Sequence, residues 1–450
     1  MRVFKKILKV FFFMILTFLI LGVFLFKKID RRHYKEMDYY QEMLGEVHNL
    51  EERRKIESGD TIKVGWAKTS LLPPYIIPLA GFGNRKGKEM EGIRDSLWVR
   101  AFVFDNELTK AVFVTMDMLI VPPEVEVALR NHLSNTGFNP KNLYLSATHT
   151  HSSIGAWGPG FTGEAIAGPY DPEIVDFITK ATLEAINKAD VSKEIAQIGY
   201  GKIDASPFVE NRLVGDEGIV DPWIRFLKIR KKGGETAILS TFSAHATCFG
   251  HNNMNLSADY PGALVDSLEK FPQVHFAAYA AGGVASHRPP GMPSPEEQIT
   301  HIASGLTLLI SQQVDQVAMH FQKELLVLQM NLPLREPQVR ISRDWRIRPW
   351  LYYHFFGDYP SYLSFLKIGN TILVGTPCDF SGELMPDLEK IAIREGYNLI
   401  LTSFNGGYIG YITLDKWYDL NKYETRAMNW FGPYNGAYFS EYIGSVLTRI

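Results

Sequence analysis

The densest chemistry in the sequence lies in Ala147-Thr148-His149-Thr150-His151-Ser152. The stretch follows a strand-like run, Asn142-Leu143-Tyr144-Leu145-Ser146, and opens into Gly155-Ala156-Trp157-Gly158-Pro159-Gly160. Alternate side chains of an extended backbone share a face, so His149 and His151 point the same way. Two imidazoles aimed at one spot at a strand end begin many zinc sites. The same pattern also fits two hydrogen-bonded structural histidines. His245 likewise comes directly after a predicted strand, residues 237–243. Asp379 sits in the turn Gly375-Thr376-Pro377-Cys378-Asp379-Phe380, between a predicted strand at 365–374 and a predicted helix at 381–394. A carboxylate there either caps the helix or binds a metal. Asp117 ends another strand and is open to the same two readings, active-site edge or helix cap. Arg212 is placed to clamp a carboxylate or a polarised oxygen, or to pair with Asp216 or Glu217. The glycine-rich aromatic turn Asn405-Gly406-Gly407-Tyr408-Ile409-Gly410-Tyr411 also has a purely conformational reading.

The elements that must position these groups alternate between strand and helix. Strands are expected at 61–67, 97–104, 111–116, 224–229, 237–243, 274–281 and 365–374, with Arg100 in the second. Helices are expected at 123–134, 171–189, 296–318 and 381–394. The pattern predicts an α/β fold of mixed sheets flanked by helices, with the site at strand ends. Trp345, Trp350, Tyr352, Tyr353, Phe355 and Phe356 cluster either as a lipid-facing wall or as ordinary aromatic packing.

At 450 residues with 46% hydrophobic content, the chain suffices for one large domain or two ordinary ones. A net charge of −2 gives no electrostatic case for nucleic acid. Two cysteines, Cys248 and Cys378, exclude a disulfide framework and a four-cysteine zinc site, but leave one bridge open. Residues 10–26 form an apolar run preceded by Arg2, Lys5, Lys6 and Lys9. It reads as a signal anchor or transmembrane helix over residues 1–28, with a cleaved signal peptide as the competitor. Residues 29–60 then read as a polar stalk or docking helix, and residues 61–450 as the catalytic domain. This organisation implies a membrane-anchored protein whose catalytic domain lies outside the cytoplasm, periplasmic or extracellular.

Taken together, the histidine stretch, Asn211-Arg212, Phe242-Ser243-Ala244-His245 and Tyr408-Ile409-Gly410-Tyr411-Ile412-Thr413, followed by Tyr423-Glu424, resemble the neutral/alkaline non-lysosomal ceramidase family. Gly65, Ala67, Gly92-Ile93 and Arg100-Ala101-Phe102 resemble its N-terminal block, so the likeness runs in order from about residue 62 onward. The resemblance implies a zinc amidase that cleaves the N-acyl bond of ceramide, or of a ceramide-like lipid, to a sphingoid base and a fatty acid. It implies Zn²⁺ held by His149, His245, Asp379 and Tyr411. His151, Arg212 and Tyr423 would bind the amide and stabilise its developing charge, and Asp379 would be the candidate base. Other readings are an amidase of the same scaffold acting on another linear N-acyl amide, and a non-catalytic lipid-binding homologue.

The sequence departs from the family pattern at three places. Pro377-Cys378-Asp379-Phe380 stands where the family has Pro-Gly-Glu-Phe; aspartate is one methylene shorter, so the loop moves closer or Glu383 substitutes. Gly283-Val284-Ala285-Ser286-His287 replaces a Gly-Asp-Val-Ser-Pro block. The sequence after Tyr438 suits a short form without the immunoglobulin-like domain of longer members. Convergence of His245 and Asp379 would also bring Cys248 and Cys378 near one another.

Overall fold

Apolar side chains that alternate between faces build two β-sheets, and the sheets pack on each other. The computed structural model describes residues 2–50 and 57–450. The larger sheet has nine described strands. Its path runs Phe276–Ala281, Thr236–Phe242, Trp223–Lys231, Glu194–Asp204, Lys63–Ser70, Trp98–Asp105, Lys110–Met116 and Leu143–Ala147, and His320–Phe321 pairs with Glu194–Asp204 off that path. The smaller sheet runs Glu57–Ser58, Glu324–Asn331, Tyr362–Ile368, Thr371–Thr376 and Asn398–Ser403. Pairing in both is mainly antiparallel. The parallel pairs are Lys110–Met116 with Leu143–Ala147, Thr236–Phe242 with Phe276–Ala281, and Thr371–Thr376 with Asn398–Ser403.

The described α-helices are α1 (Arg2–Leu25), α2 (Asp38–His48), α3 (Pro123–Ser134), α4 (Gly160–Ala167), α5 (Pro172–Val191), α6 (Asp259–Leu268), α7 (Pro295–Gln313), α8 (Pro349–Phe356), α9 (Met385–Arg394) and α10 (Asn435–Leu447). Three apolar cores divide them into layers. Leu129, Ile178, Leu264 and Leu306 pack α3, α5, α6 and α7 on the outer face of the large sheet. Met43, Leu388, Phe439 and Ile443 pack α2, α9 and α10 on the outer face of the small one. Between the sheets lie Phe102, Phe104, Phe113 and Leu239, facing Leu325, Leu366, Leu373 and Ile400. Strand Trp98–Asp105 shows the period of two: Phe102 and Phe104 enter the inter-sheet core, while Ala101 and Val103 face the helices. Polar bonds cross the same interface, with Tyr144 Oη 2.8 Å from Thr402 Oγ1 and Ser146 Oγ donating to the Ser403 carbonyl. The expected α/β architecture of mixed sheets flanked by helices is therefore present. Helix α5 starts where Asp171 accepts from the Glu173 amide, and α7 where Ser294 accepts from the Glu297 amide.

At the N-terminus, α1 forms but the transmembrane reading finds no support. Among the described residues no helix is long and apolar enough to cross a membrane. Past α1 the chain is tied to the domain. Phe26–Lys28 pairs with Trp345–Ile347, and the Arg348 guanidinium donates to the Val23 carbonyl. Helix α2 docks rather than stands free, burying Tyr39, Met43 and Val47.

Asp117 takes no part in the site. It forms a buried ion pair with Arg100 at 2.8 Å and accepts from the Trp98 amide, fastening two strands of the large sheet. Cys248 and Cys378 are both free thiols, in different cores, so the bridge left open by the sequence is not made. Asp117→Ala leaves the Arg100 charge buried without its partner, which costs about 3–5 kcal/mol; urea unfolding of the variant should show a loss of that order.

Candidate metal centre

Each histidine arrives at the carboxyl end of a strand and is turned inward by its backbone. After Leu143–Ala147, His149 adopts a left-handed φ of +63°, an uncommon conformation for a residue with a side chain. Its amide donates to the Met118 carbonyl and its Nδ1 lies 2.6 Å from the Leu119 carbonyl oxygen. His151 Nδ1 lies 2.9 Å from the Gly81 carbonyl oxygen. Gly81 must be glycine, since its φ is +127° and a Cβ would fall 2.4 Å from the His151 carbonyl oxygen. The buried Arg85 donates to the Ala80 and His151 carbonyls and fixes that loop. His245 comes off Thr236–Phe242, its Nδ1 3.3 Å from the Val284 carbonyl oxygen.

A carbonyl only accepts, so each Nδ1 carries the proton and each Nε2 presents a lone pair. Those three Nε2 atoms face one another, at 3.0 Å for His149–His245, 3.1 Å for His149–His151 and 2.9 Å for His151–His245. Burial, then neighbouring positive and imidazole groups, pushes His151 and His245 well below the usual histidine range and keeps them neutral. Phe404 stacks on His149 with ring centroids 4.1 Å apart.

The fourth group comes from the small sheet. Asp379 follows Thr371–Thr376 and pairs in parallel register with Tyr411. It is fully buried, and its Oδ1 stands 3.3 Å from His149 Nε2. That oxygen has no hydrogen-bond partner, while Oδ2 accepts from Tyr408 Oη at 2.6 Å. A buried carboxylate oxygen left bare beside three inward lone pairs is a set of acceptors without a donor. That donor set fits a divalent cation. His149, His151 and His245 form the group that could hold such an ion. Glu383 is turned away, accepting from the Ile219 amide and Trp417 Nε1, and so does not replace Asp379.

Around this core the structure gathers the other expected residues. The Arg212 Nη2 donates to Tyr411 Oη at 3.4 Å. Its Nε donates to the Ala285 carbonyl and pairs at 3.1 Å with Glu424, not with Asp216 or Glu217. Tyr423 is half exposed, its ring 5.8 Å from that of Tyr411. Burial, reinforced by Asp379, lifts Tyr411 well above the usual phenol range, against the pull of Arg212. Sequence reasoning gave Tyr408 no role, though its place three residues before Tyr411, opposite the Asp379 turn, was a usable signal. Tyr408 also lines an adjoining groove with Ile120, Trp157, Ile166, Phe356 and Trp430. His287, also near a strand end, is structural: it bonds the backbone of Ile219, Asp221 and Gly283.

The arrangement has counterparts among known proteins. Residues 73–287, which include His149, His151, Arg212 and His245, match the family described as neutral/alkaline non-lysosomal ceramidase, N-terminal. Over these residues the chain is similar to that ceramidase family. It is similar to neutral ceramidase A of Dictyostelium discoideum, 29% identical over 200 residues, covering 39% of this chain and 27% of that protein. It is also similar to neutral ceramidase of Pseudomonas aeruginosa, 27% identical over 209 residues, covering 41% and 30% respectively. The aligned region thus spans under a third of each of these relatives. In fold, the crystal structure of the Pseudomonas aeruginosa neutral ceramidase superposes with a TM-score of 0.72 at 17% identity, over 88% of this chain and 75% of that one. A ceramidase complexed with C2 gives 0.73 at 17%, over 86% and 75%. The fold likeness, over 88% of this chain, therefore extends beyond residues 73–287, which carry the histidines, into the part that carries Asp379 and Tyr411.

Tyr408→Phe removes the bond that aims Asp379, and should weaken divalent-cation binding about 10–100-fold, read with added metal by competition with a chromophoric chelator. Metal-free protein has a separate signature. The native pKa values of His151 and His245 are depressed, so below the ordinary histidine value the unfolded chain binds more protons and stability falls with pH. Its melting temperature should decline as pH drops from about 7.5 through 6, less steeply in His245→Asn.

Proposed function

We propose that this chain is a zinc-dependent amidohydrolase that cleaves the N-acyl bond of ceramide or a ceramide-like lipid. The observation that carries the reading is the convergence of three imidazole lone pairs beside the unpartnered Asp379 oxygen. His149, His151, His245 and Asp379 would hold the ion, with Tyr411 beside Asp379 on the paired strand. When bound, zinc lowers the pKa of a water toward about 7 and polarises an amide carbonyl.

The remaining steps belong to the protein. Asp379, with Oδ1 turned toward the ion and Oδ2 oriented by Tyr408, would use the remaining lone pair of Oδ2 to take a proton from the attacking water and return it to the leaving amine. Arg212 and the hydroxyls of Tyr411 and Tyr423 are the donors for the oxyanion. His151 is suited to a different role from the charge stabilisation expected of it, because the Gly81 bond takes its Nδ1 proton and leaves Nε2 without one. The apolar groove beside Tyr408 suits the acyl chain.

Purified protein should contain about one zinc per chain and release fatty acid from ceramide, with activity lost to a chelator and restored by zinc. Preferred turnover of N-acyl amino acids in a parallel panel would move the substrate to another linear amide, and metal-free folded protein without turnover would reject the enzyme. Tyr423→Phe and Arg212→Met should each lower kcat about 10²–10³-fold while zinc content stays at the wild-type level.

A further inference from the structure

Large aromatic side chains stand in solvent at the rim of the groove. Phe161 on α4 and Trp350, Tyr353 and Phe355 on α8 are 36–73% exposed. They form a connected surface: the rings of Phe161 and Phe355 are 5.4 Å apart, and Phe24 at the end of α1 lies 5.9 Å from Trp350. The opposite sides of the same helices form the groove, through Thr162, Gly163 and Ile166 of α4 and Phe356 of α8. Tyr352 and Phe356 stack on each other and on the core, which leaves the other aromatics of α8 pointing outward. Helix α8 is thus apolar on both faces, one packed and one bare. A patch of this kind marks an interaction site.

We propose that this α1–α4–α8 surface docks on a lipid surface, and that the groove receives its chain from there. The proposal rests on the reading of the substrate as a lipid amide. Three features select lipid over a protein partner. Helix α1 continues the patch with exposed Phe4, Phe11, Phe12 and Phe13. Lysines flank its apolar stretch at Lys5, Lys6, Lys9, Lys27 and Lys28, cations suited to an anionic headgroup layer. Trp350 and Tyr353 carry an apolar ring with a polar edge, as residues at the headgroup level do. The pairing of Phe26–Lys28 with Trp345–Ile347 and the bond from Arg348 to Val23 fix α1 beside α8, so both meet the same plane.

The test uses the full chain with an environment-sensitive fluorophore on Phe161→Cys or Phe355→Cys, and on Leu308→Cys of α7 as a control, mixed with 7:3 phosphatidylcholine–phosphatidylglycerol vesicles. The expected result is a blue shift and quenching by shallow nitroxide lipid at 161 and 355, with neither at 308. The Phe161→Ser/Phe355→Ser double variant should raise KM for vesicle-borne ceramide roughly tenfold, with kcat on a soluble short-chain amide unchanged. Absence of shift and quenching at 161 and 355, or a shift that grows with protein concentration without vesicles, overturns the proposal, the latter identifying a second copy as the occupant. If the probes stay in water while ceramide in detergent is still cleaved, the surface falls and the amidase stands. If the probes enter lipid and no linear amide is cleaved, the amidase reading falls alone.

Discussion

Three lone pairs held about 3 Å apart, with no proton among them, are the constraint to which the rest of the site answers. Such an arrangement is unfavourable unless something positive lies between, and the surrounding backbone removes the easy escapes. The carbonyls of Leu119, Gly81 and Val284 each take an Nδ1 proton, so no imidazole can flip or change tautomer without losing a buried bond. His149 is held at a positive φ by amide bonds from its own loop to the ends of Lys110–Met116. The protein maintains local backbone strain and mutual repulsion in the same few residues, a pattern expected of a functional site.

The parts of this arrangement that are periodic were legible in the sequence. Alternation located the strands that end at His149 and His245, and turn residues located the Asp379 loop. The parts that depend on what faces what were not. Asp117 had the same local signature as Asp379, yet Arg100 lies on the adjacent strand and neutralises it, while Asp379 meets imidazoles instead. Arg212 pairs with Glu424, far along the chain, because its amide and Nε donate to the Ser286 and Ala285 carbonyls and turn it inward, away from the nearer acids. Tyr408 was passed over for another reason: its turn also had a conformational reading, and the parallel register of Asp379 with Tyr411 is what brings its hydroxyl to the carboxylate. Spacing placed His151 beside His149 but could not say which ring nitrogen would carry the proton; a carbonyl from a loop 70 residues away decides that.

The N-terminal segment shows what composition leaves open until packing is known. Its apolar run and flanking cations suit a membrane span, but the segment after it is stitched into the domain by a strand pair, and α2 fills a core rather than serving as a spacer. Exposed aromatics and the groove share two short helices, so the geometry that shapes the groove also sets what surrounds its mouth.

The division of the site between the sheets governs when it comes into being. The histidines leave the large sheet before residue 250, whereas Asp379 and Tyr411 pair with each other in a separate two-stranded ladder that follows strands Thr371–Thr376 and Asn398–Ser403 of the small sheet. During synthesis the imidazoles emerge well before the carboxylate, and the nascent chain holds an incomplete chelate until its last segments dock. Closure of the inter-sheet core is the step that brings the carboxylate to the imidazoles, so the constellation is complete only when the fold is.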